Sequence, residues 1–474
     1  MILASFLTFL LAFLAIGLAS TLRAKKTRED YYLCESEVAP WLVGLSAIAT
    51  NNSGYMFIGV IGFTYATGLA SIWLMIGWIL GDFLASLFIH RRIREATERT
   101  DEASFAGVLA VWNGQTFAVW RRIAAVVMVV FLGAYAAAQI SAGGKALQGV
   151  LDWDPRLGAV VVAAVILAYS VAGGIRASIW TDAAQSLVMI GAMGLLFVVG
   201  VAGQGGPAET IDRMAAVPGF LDWFPADLLF PGALGMGLFV LGWMFAGFSV
   251  VGQPHVMVRF MALDDVNNMW RARAWYYFYF VVFYGLATGV GMLSRLYLPD
   301  LGGMDPELAL PTMALKLLPA VFVGAVLAGI FAATMSTADS LVLSCSAAIT
   351  HDLLPRRLES PWELKAATAF VTLLALAIAL GENRSVFSLV ILAWSTLASA
   401  FAPLLTIYAL GRRISEAGAI ASMAAGVGVA LLWRALGWHV SVYEGLPGIL
   451  AGLLVAAALS AAREPLKRRA PEIG

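Results

Sequence analysis

Ala333, Ser336, Thr337 and Ser340 fall at i, i+3, i+4 and i+7, so on a helix they share one face. That face presents three hydroxyls and, at Ala333, a carbonyl that a break in a neighbouring segment would expose. Oxygen donors of this kind suit a hard cation such as sodium. Asp339 sits beside them, and Asp182 opens another apolar segment; an ionisable group at membrane depth points to function. Other readings stand alongside. Ser and Thr hydroxyls can bond back to their own helix, and Asp182, just after Trp180-Thr181, can cap a helix or sit at an interface. No nucleophile–base constellation accompanies these residues. The four histidines show no HExxH spacing, and Cys34 and Cys345 suggest neither a disulfide framework nor a metal knuckle. The chemistry is ion binding, and the chain does not read as an enzyme.

Two interruptions carry the same polar character. Ala49-Thr50-Asn51-Asn52-Ser53-Gly54 breaks one apolar stretch at its middle, and Gly247-Phe248-Ser249 with Gly252-Gln253-Pro254-His255 breaks another. Backbone that leaves the helix at membrane depth persists only where protein or an internal cavity satisfies it. Paired interruptions in corresponding segments mark a transporter's binding site. Small-residue helix packing explains either stretch singly, but poorly explains an Asn-Asn pair at mid-span and a proline in the other.

The elements that must position these residues are membrane helices. Of the 474 residues 61% are hydrophobic and 13% charged, with 30 basic against 30 acidic side chains. A water-soluble surface would need far more charge, which excludes most soluble enzymes and nucleic-acid binders. Thirteen apolar stretches are long enough to cross a bilayer: 2–22, 38–60, 67–90, 121–142, 157–175, 181–203, 232–252, 270–294, 317–350, 364–381, 386–410, 415–436 and 446–462. The first has no basic segment before it and no small-residue cleavage site, so it reads as a retained span. With the N-terminus outside and the C-terminus in the cytoplasm, 23 of the 30 Lys and Arg residues fall in inward segments, as the positive-inside rule requires. The 204–231 loop, with Trp223 and Phe224, reads as interfacial.

Spans 2–6 and 7–11 form two blocks of five, each opening on a broken span. Five is odd, so the second block starts from the opposite side of the membrane. This gives one transporter domain: 1–36 an added helix and loop, 37–230 the first repeat and outer loop, 231–411 the second repeat, and 412–474 two further helices and a tail.

These segments resemble the sodium:solute symporter family. The resemblance runs from Asp30-Tyr31-Tyr32-Leu33 to about Asp352. It is most specific at Leu45-Ser46-Ala47 through Gly54, at Gly173-Gly174 with Trp180-Thr181-Asp182, at Gly252-Gln253-Pro254-His255 through Arg259-Phe260-Met261, and at Met335-Ser336-Thr337. The Gln-Pro-His and Trp-Thr-Asp blocks are similar to the bacterial sodium/proline branch. The resemblance implies an all-α leucine-transporter-type fold of five-plus-five inverted repeats. It also implies a sodium site made by the carbonyls of Ala49, Asn52 and Ala333 with the hydroxyls of Ser336 and Thr337. Some relatives hold a second sodium near the positions of Asp182, Ser336, Asp339 and Ser340. The chain departs from the proline carriers at Asn51, where they have aspartate, and at Asn52, where they have methionine. It also departs at Ala246 and Val250, where they have tryptophan and tyrosine, and at Cys34-Glu35-Ser36.

The expected function is sodium-coupled import of a small organic solute, an amino acid such as proline or a small carboxylate, across a bacterial-type plasma membrane. Its partners are the solute, sodium and the lipid bilayer, with no nucleic acid and no obligatory protein partner evident. A transporter-like sensor or a proton-coupled carrier of the same fold are the rivals. The solute pocket is expected from Thr50, Asn51, Ser53, Gly54 and Tyr55, from Tyr135 and Gln139 on one helix face, and from Phe248, Gln253 and Pro254. With Ala246 and Val250 small, it should be roomy and hold proline weakly.

Overall fold

Proline at the first turn or Ser or Asp at the N-cap begins six of the helices described below. Pro40, Pro155, Pro254 and Pro361 each open one, and the Asp154, Ser385 and Ser415 side chains accept from first-turn N–H groups. Both choices serve donors that have no partner within the helix. The computed structural model describes residues 1–21, 33–100, 102–299, 303, 305–354, 360–381 and 385–462. Its principal helices are α1 (Ile2–Thr21), α2 (Pro40–Asn51), α3 (Ile72–Thr100), α4 (Ala118–Leu151), α5 (Pro155–Gly203), α6 (Gly232–Phe248) and α7 (Pro254–Met261). The others are α8 (Met269–Tyr297), α9 (Ala320–Ala347), α10 (Pro361–Ala379), α11 (Val386–Ala409), α12 (Glu416–Ala435) and α13 (Gly445–Leu459). One antiparallel strand pair, Arg412–Ile414 with Ser460–Ala462, joins the ends of the last helices.

Among the described residues nine helical stretches are long and apolar enough to cross a membrane, and Ile2–Gly17, Pro155–Ala168 and Gly445–Leu459 are shorter apolar helices. A straight helix the length of α5 would extend about 73 Å, more than twice a hydrocarbon core of about 30 Å. Yet Gly149, shortly before α5, packs on Pro311, and Gly200, near its end, packs on Met313. Both partners lie in one short helix, Ala309–Leu317. The α5 run therefore doubles back.

Clusters of ion pairs mark the two ends of α4. At the start of α4, Arg121 meets Glu102 at 2.9 Å and Asp352 at 2.6 Å, while Glu416 accepts from the Val119 and Trp120 N–H groups. Near the end of α4, Lys145 meets Asp305 at 2.6 Å and Glu307 at 2.7 Å. Arg121 and Lys145 are about 36 Å apart along the helix, the spacing of two membrane faces.

The 204–231 segment lies on the Lys145 face and includes a helix, Pro207–Ala215. The Leu69 N–H donates to the Phe220 carbonyl at 2.8 Å, and the Trp73 indole N–H donates to the Trp223 carbonyl at 2.9 Å. Gly68 permits this cover. Its φ is +67°, and a Cβ there would come within 2.2 Å of the Phe220 oxygen.

One basic residue sits differently from the sequence reading. Arg259, counted with the inward loops, is 1% exposed inside the helix bundle. Arg23, Lys25, Lys26, Arg28, Arg356, Arg357, Arg384, Arg463, Lys467, Arg468 and Arg469 lie outside the described residues, as do Asp30, Tyr31 and Tyr32.

Candidate functional site

The first interruption is an offset within one span. Helix α2 stops at Asn51, Asn52 has φ −76° and ψ −4°, and the chain resumes helically at Ser53 before a π-helical turn over Met56–Val60. The second is sharper. Helix α6 ends at Phe248, a 3₁₀ turn spans Ser249–Gly252, Gln253 is extended, and Pro254 opens α7. The Gln253 amide donates to the carbonyls of Ser249 (3.1 Å) and Trp394 (2.9 Å), stitching the break to α11. Gly252 allows that contact, since a Cβ there would lie 2.5 Å from the Ala398 Cα.

Helix α9 faces the first break. The Thr337 hydroxyl donates to the Thr50 carbonyl at 2.8 Å, so it reaches across to α2 rather than back along its own helix. Ser340 does bond back, to the Ser336 carbonyl at 2.6 Å, and its oxygen also lies 3.3 Å from the Thr50 hydroxyl. Ala49, Asn52, Ala333 and Ser336 are all buried. The buried Ser336 hydroxyl faces the Asp182 carboxylate, and among the described residues neither it nor Asp182 Oδ1 closes a hydrogen bond of ordinary geometry. Buried oxygens in that condition are suited to a cation.

Asp182 neither caps a helix nor meets water. It is fully buried, and its Oδ2 accepts from the hydroxyls of Ser46 (2.6 Å) and Thr50 (3.5 Å) and from Arg259 (3.5 Å). Asp339 is buried as well.

A small closed cavity lies against the first break. Asn51, Asn52, Tyr55, Met56, Trp78, Tyr135, Phe280, Tyr284, Val390 and Trp394 line it. Among the described residues Asn52 Nδ2 and the hydroxyls of Tyr55 and Tyr284 are buried there without a partner, and a few such polar atoms in an apolar pocket can orient a ligand. Ser53, Gly54 and Gln139 stand behind its wall. The Tyr135 hydroxyl donates to Ser53 (3.3 Å), and the Gly54 N–H donates to the Gln139 side-chain oxygen (2.9 Å). The remaining expected residues lie elsewhere. The Thr50 hydroxyl faces Asp182 and Ser340, the Gln253 amide nitrogen is bound to backbone, and Phe248 borders a groove with Leu84 and Phe88. Pro254 lines a separate cavity with Ser104, Phe105, Arg259 and Ser340.

The structure adds two residues that sequence reasoning passed over. Trp394 lines the cavity from α11, and its indole N–H donates to the Ala246 carbonyl at 2.9 Å. Aromatic bulk absent from positions 246 and 250 is thus supplied by another helix, so the cavity is small where a roomy one was expected. Asp82 is fully buried on α3 and accepts from Tyr276 (2.6 Å) and Tyr277 (2.9 Å).

Residues 31–426 match the sodium:solute symporter family. The chain belongs to that family. The symporter is 30% identical to the high-affinity proline transporter PutP of Bacillus subtilis over 90% of both chains. It is 28% identical to the sodium/proline symporter of Escherichia coli over 95% of this chain and 91% of that one. In fold it is similar to a sodium-coupled sialic acid symporter, with a TM-score of 0.78, 18% identity and coverage of 98% and 99%. It also resembles Mhp1, a nucleobase-cation-symport-1 family transporter, with a TM-score of 0.59, 13% identity and coverage of 90% and 93%. The symporter is a multi-pass helical membrane protein that couples movement of a small organic solute to sodium.

Proposed function

We propose that this symporter imports a small zwitterionic amino acid, proline or one of similar size, or a small carboxylate, with sodium bound where α9 meets the break after Asn51. The carrying observation is the Thr337 hydroxyl on the Thr50 carbonyl at 2.8 Å. It brings Thr337 onto the end of α2, and with Ser336 beside it the ligands of our reading are these two hydroxyls and the carbonyls of Ala49, Asn52 and Ala333. Asp182 and Ser340, joined through Arg259, and Asp339, the neighbour of Ser340 on α9, are the candidates for a second ion beside that site. The solute occupies the cavity at Asn51, Tyr55 and Tyr135, with Ser53, Gly54 and Gln139 fixing the backbone at its wall.

The doubling back of α5 supports two spans there, and hence thirteen spans in all with two inverted blocks of five, 37–230 and 231–411, flanked by 1–36 and 412–474. The Ser5 hydroxyl donates to the Val321 carbonyl at the start of α9, next to the Lys145 face; with that face external, as the excess of basic residues in the other segments favours, the N-terminus is outside and, with an odd span count, the C-terminus cytoplasmic. The two blocks rock about the sodium and the solute to alternate access.

Uptake of labelled proline into proteoliposomes, with and without a sodium gradient, tests this reading. Uptake should require sodium and be competed by small amino acids. Uptake driven equally well by a proton gradient alone would favour the proton-coupled rival.

A further inference from the structure

Arg259 is a full positive charge buried in the middle of the bundle, and its guanidinium is satisfied on every side. Its Nη2 donates to Ser178 at 3.0 Å, to Ser340 at short range, and reaches Asp182 Oδ2 at 3.5 Å. Its Nε reaches the Ser46 hydroxyl at 3.4 Å, and Nη1 donates to the His255 carbonyl at 2.7 Å. Two of these partners, Asp182 and Ser340, belong to the cluster that could otherwise hold a second sodium.

We propose that the Arg259 guanidinium is the cation of that second cluster, so that the symporter binds a single sodium per cycle. This rests on the ion-site reading above. A positive partner offsets the cost of burying an ionised carboxylate, and Arg259 already supplies one to Asp182. Another cation inserted there would meet a guanidinium at close range in a low-dielectric interior, where like-charge repulsion is strong. It would also displace donors from Ser340 and Ser178, and a sodium ion cannot donate hydrogen bonds in their place. The arginine differs from an ion in being tethered. It extends from α7, directly after the second break, to α5 and α9, so it joins the two interrupted regions in a way a dissociating ion does not.

The test is to count sodium on purified full-length protein by equilibrium binding of radioactive sodium, and to read the Hill coefficient for sodium in proteoliposome uptake. Wild type should bind one sodium with a coefficient of one. Two sodium ions bound by wild type would overturn the proposal. Arg259→Gln leaves Asp182 uncompensated and should raise the count to two, while Arg259→Lys should leave it at one. An unchanged count and affinity in folded R259Q would also overturn it. Should R259Q fail to fold, Asp182→Asn supplies the second arm. It strands the guanidinium near the first site and should weaken the single sodium by at least about tenfold. Unchanged sodium affinity in folded D182N would overturn the proposal. Wild type that binds no sodium at all would instead sink the ion-site reading beneath it, so the two failures are distinguishable.

Discussion

The side-chain amide of Asn51 donates to the hydroxyl of Tyr276 at 2.5 Å, and that hydroxyl donates onward to Asp82 at 2.6 Å. Asn51 lines the cavity proposed for the solute, so this chain of bonds ties the cavity wall to a carboxylate buried on α3. Every donor in it points toward Asp82, and Tyr277 adds another from beside Tyr276. Tyr276→Phe leaves the Asn51 amide unanchored without touching the Thr337 contact. Its KM for solute should rise several-fold while half-saturating sodium stays put. Asp82→Asn turns one acceptor into a donor facing a tyrosine and should cost about 1–3 kcal/mol of stability. Thermal unfolding in detergent and uptake kinetics check both, and equal loss of sodium and solute affinity in Y276F would refute the separation.

Ser336→Ala and Thr337→Ala should each raise the sodium concentration for half-maximal uptake by about tenfold, the effect of losing one oxygen worth about 1.4 kcal/mol from a closed shell. Thr337→Ala also removes the bond to the Thr50 carbonyl, so its effect should be the larger. Thr337→Ser keeps the hydroxyl and should restore most of the affinity. A double alanine variant with unchanged sodium activation would falsify the site.

The breaks and the hydroxyl face were legible because each is local. Asn51-Asn52 at mid-span and Gly252-Gln253-Pro254 announce themselves within a few residues, and helical spacing alone puts Ser336, Thr337 and Ser340 together. What sequence could not show is which distant side chain answers which. Asp82 meets Tyr276 and Tyr277 across nearly 200 residues of chain, and Trp394 reaches Ala246 from another helix. Arg259 looked like a loop charge because only the fold reveals that the segment after the second break stays inside the bundle. The sequence offers two apolar stretches, 157–175 and 181–203, where the structure has one helical run from Pro155 to Gly203.

The Arg121 cluster joins the segment before α4 to the end of α9 and lies almost wholly out of water. Arg121 contacts both Glu102 oxygens, at 3.1 and 2.9 Å, and Asp352 at 2.6 Å. Removing the cation strands two carboxylates, so Arg121→Gln should destabilise by about 3–5 kcal/mol. Glu102→Gln leaves Arg121 with Asp352 and should cost clearly less. Melting curves of both variants in detergent settle the order; equal costs would mean that Asp352 does not hold the arginine by itself.

The last prediction concerns Trp394, whose indole fills the region that the small side chains at 246 and 250 leave open. Its N–H is fixed to the Ala246 carbonyl, and its ring lies 5.3 Å from Trp78 and 6.3 Å from Tyr135 between centroids, so it forms one wall of an aromatic cavity. With that wall in place the cavity is narrow, and a small amino acid such as proline should compete for uptake in the wild type. Trp394→Ala removes a buried aromatic that accounts for about 3–5 kcal/mol of packing. Proline should then compete at least about tenfold less well, and bulkier amino acids should gain relative to it. Ala246→Trp brings a second large ring to a backbone already in contact with the first, so alone it should abolish transport. Combined with Trp394→Ala it should recover part of the activity, because the ring lost from one helix is replaced from another. Full activity in the single Ala246→Trp variant would show that the space beside Ala246 is open and that Trp394 does not set the size of the pocket.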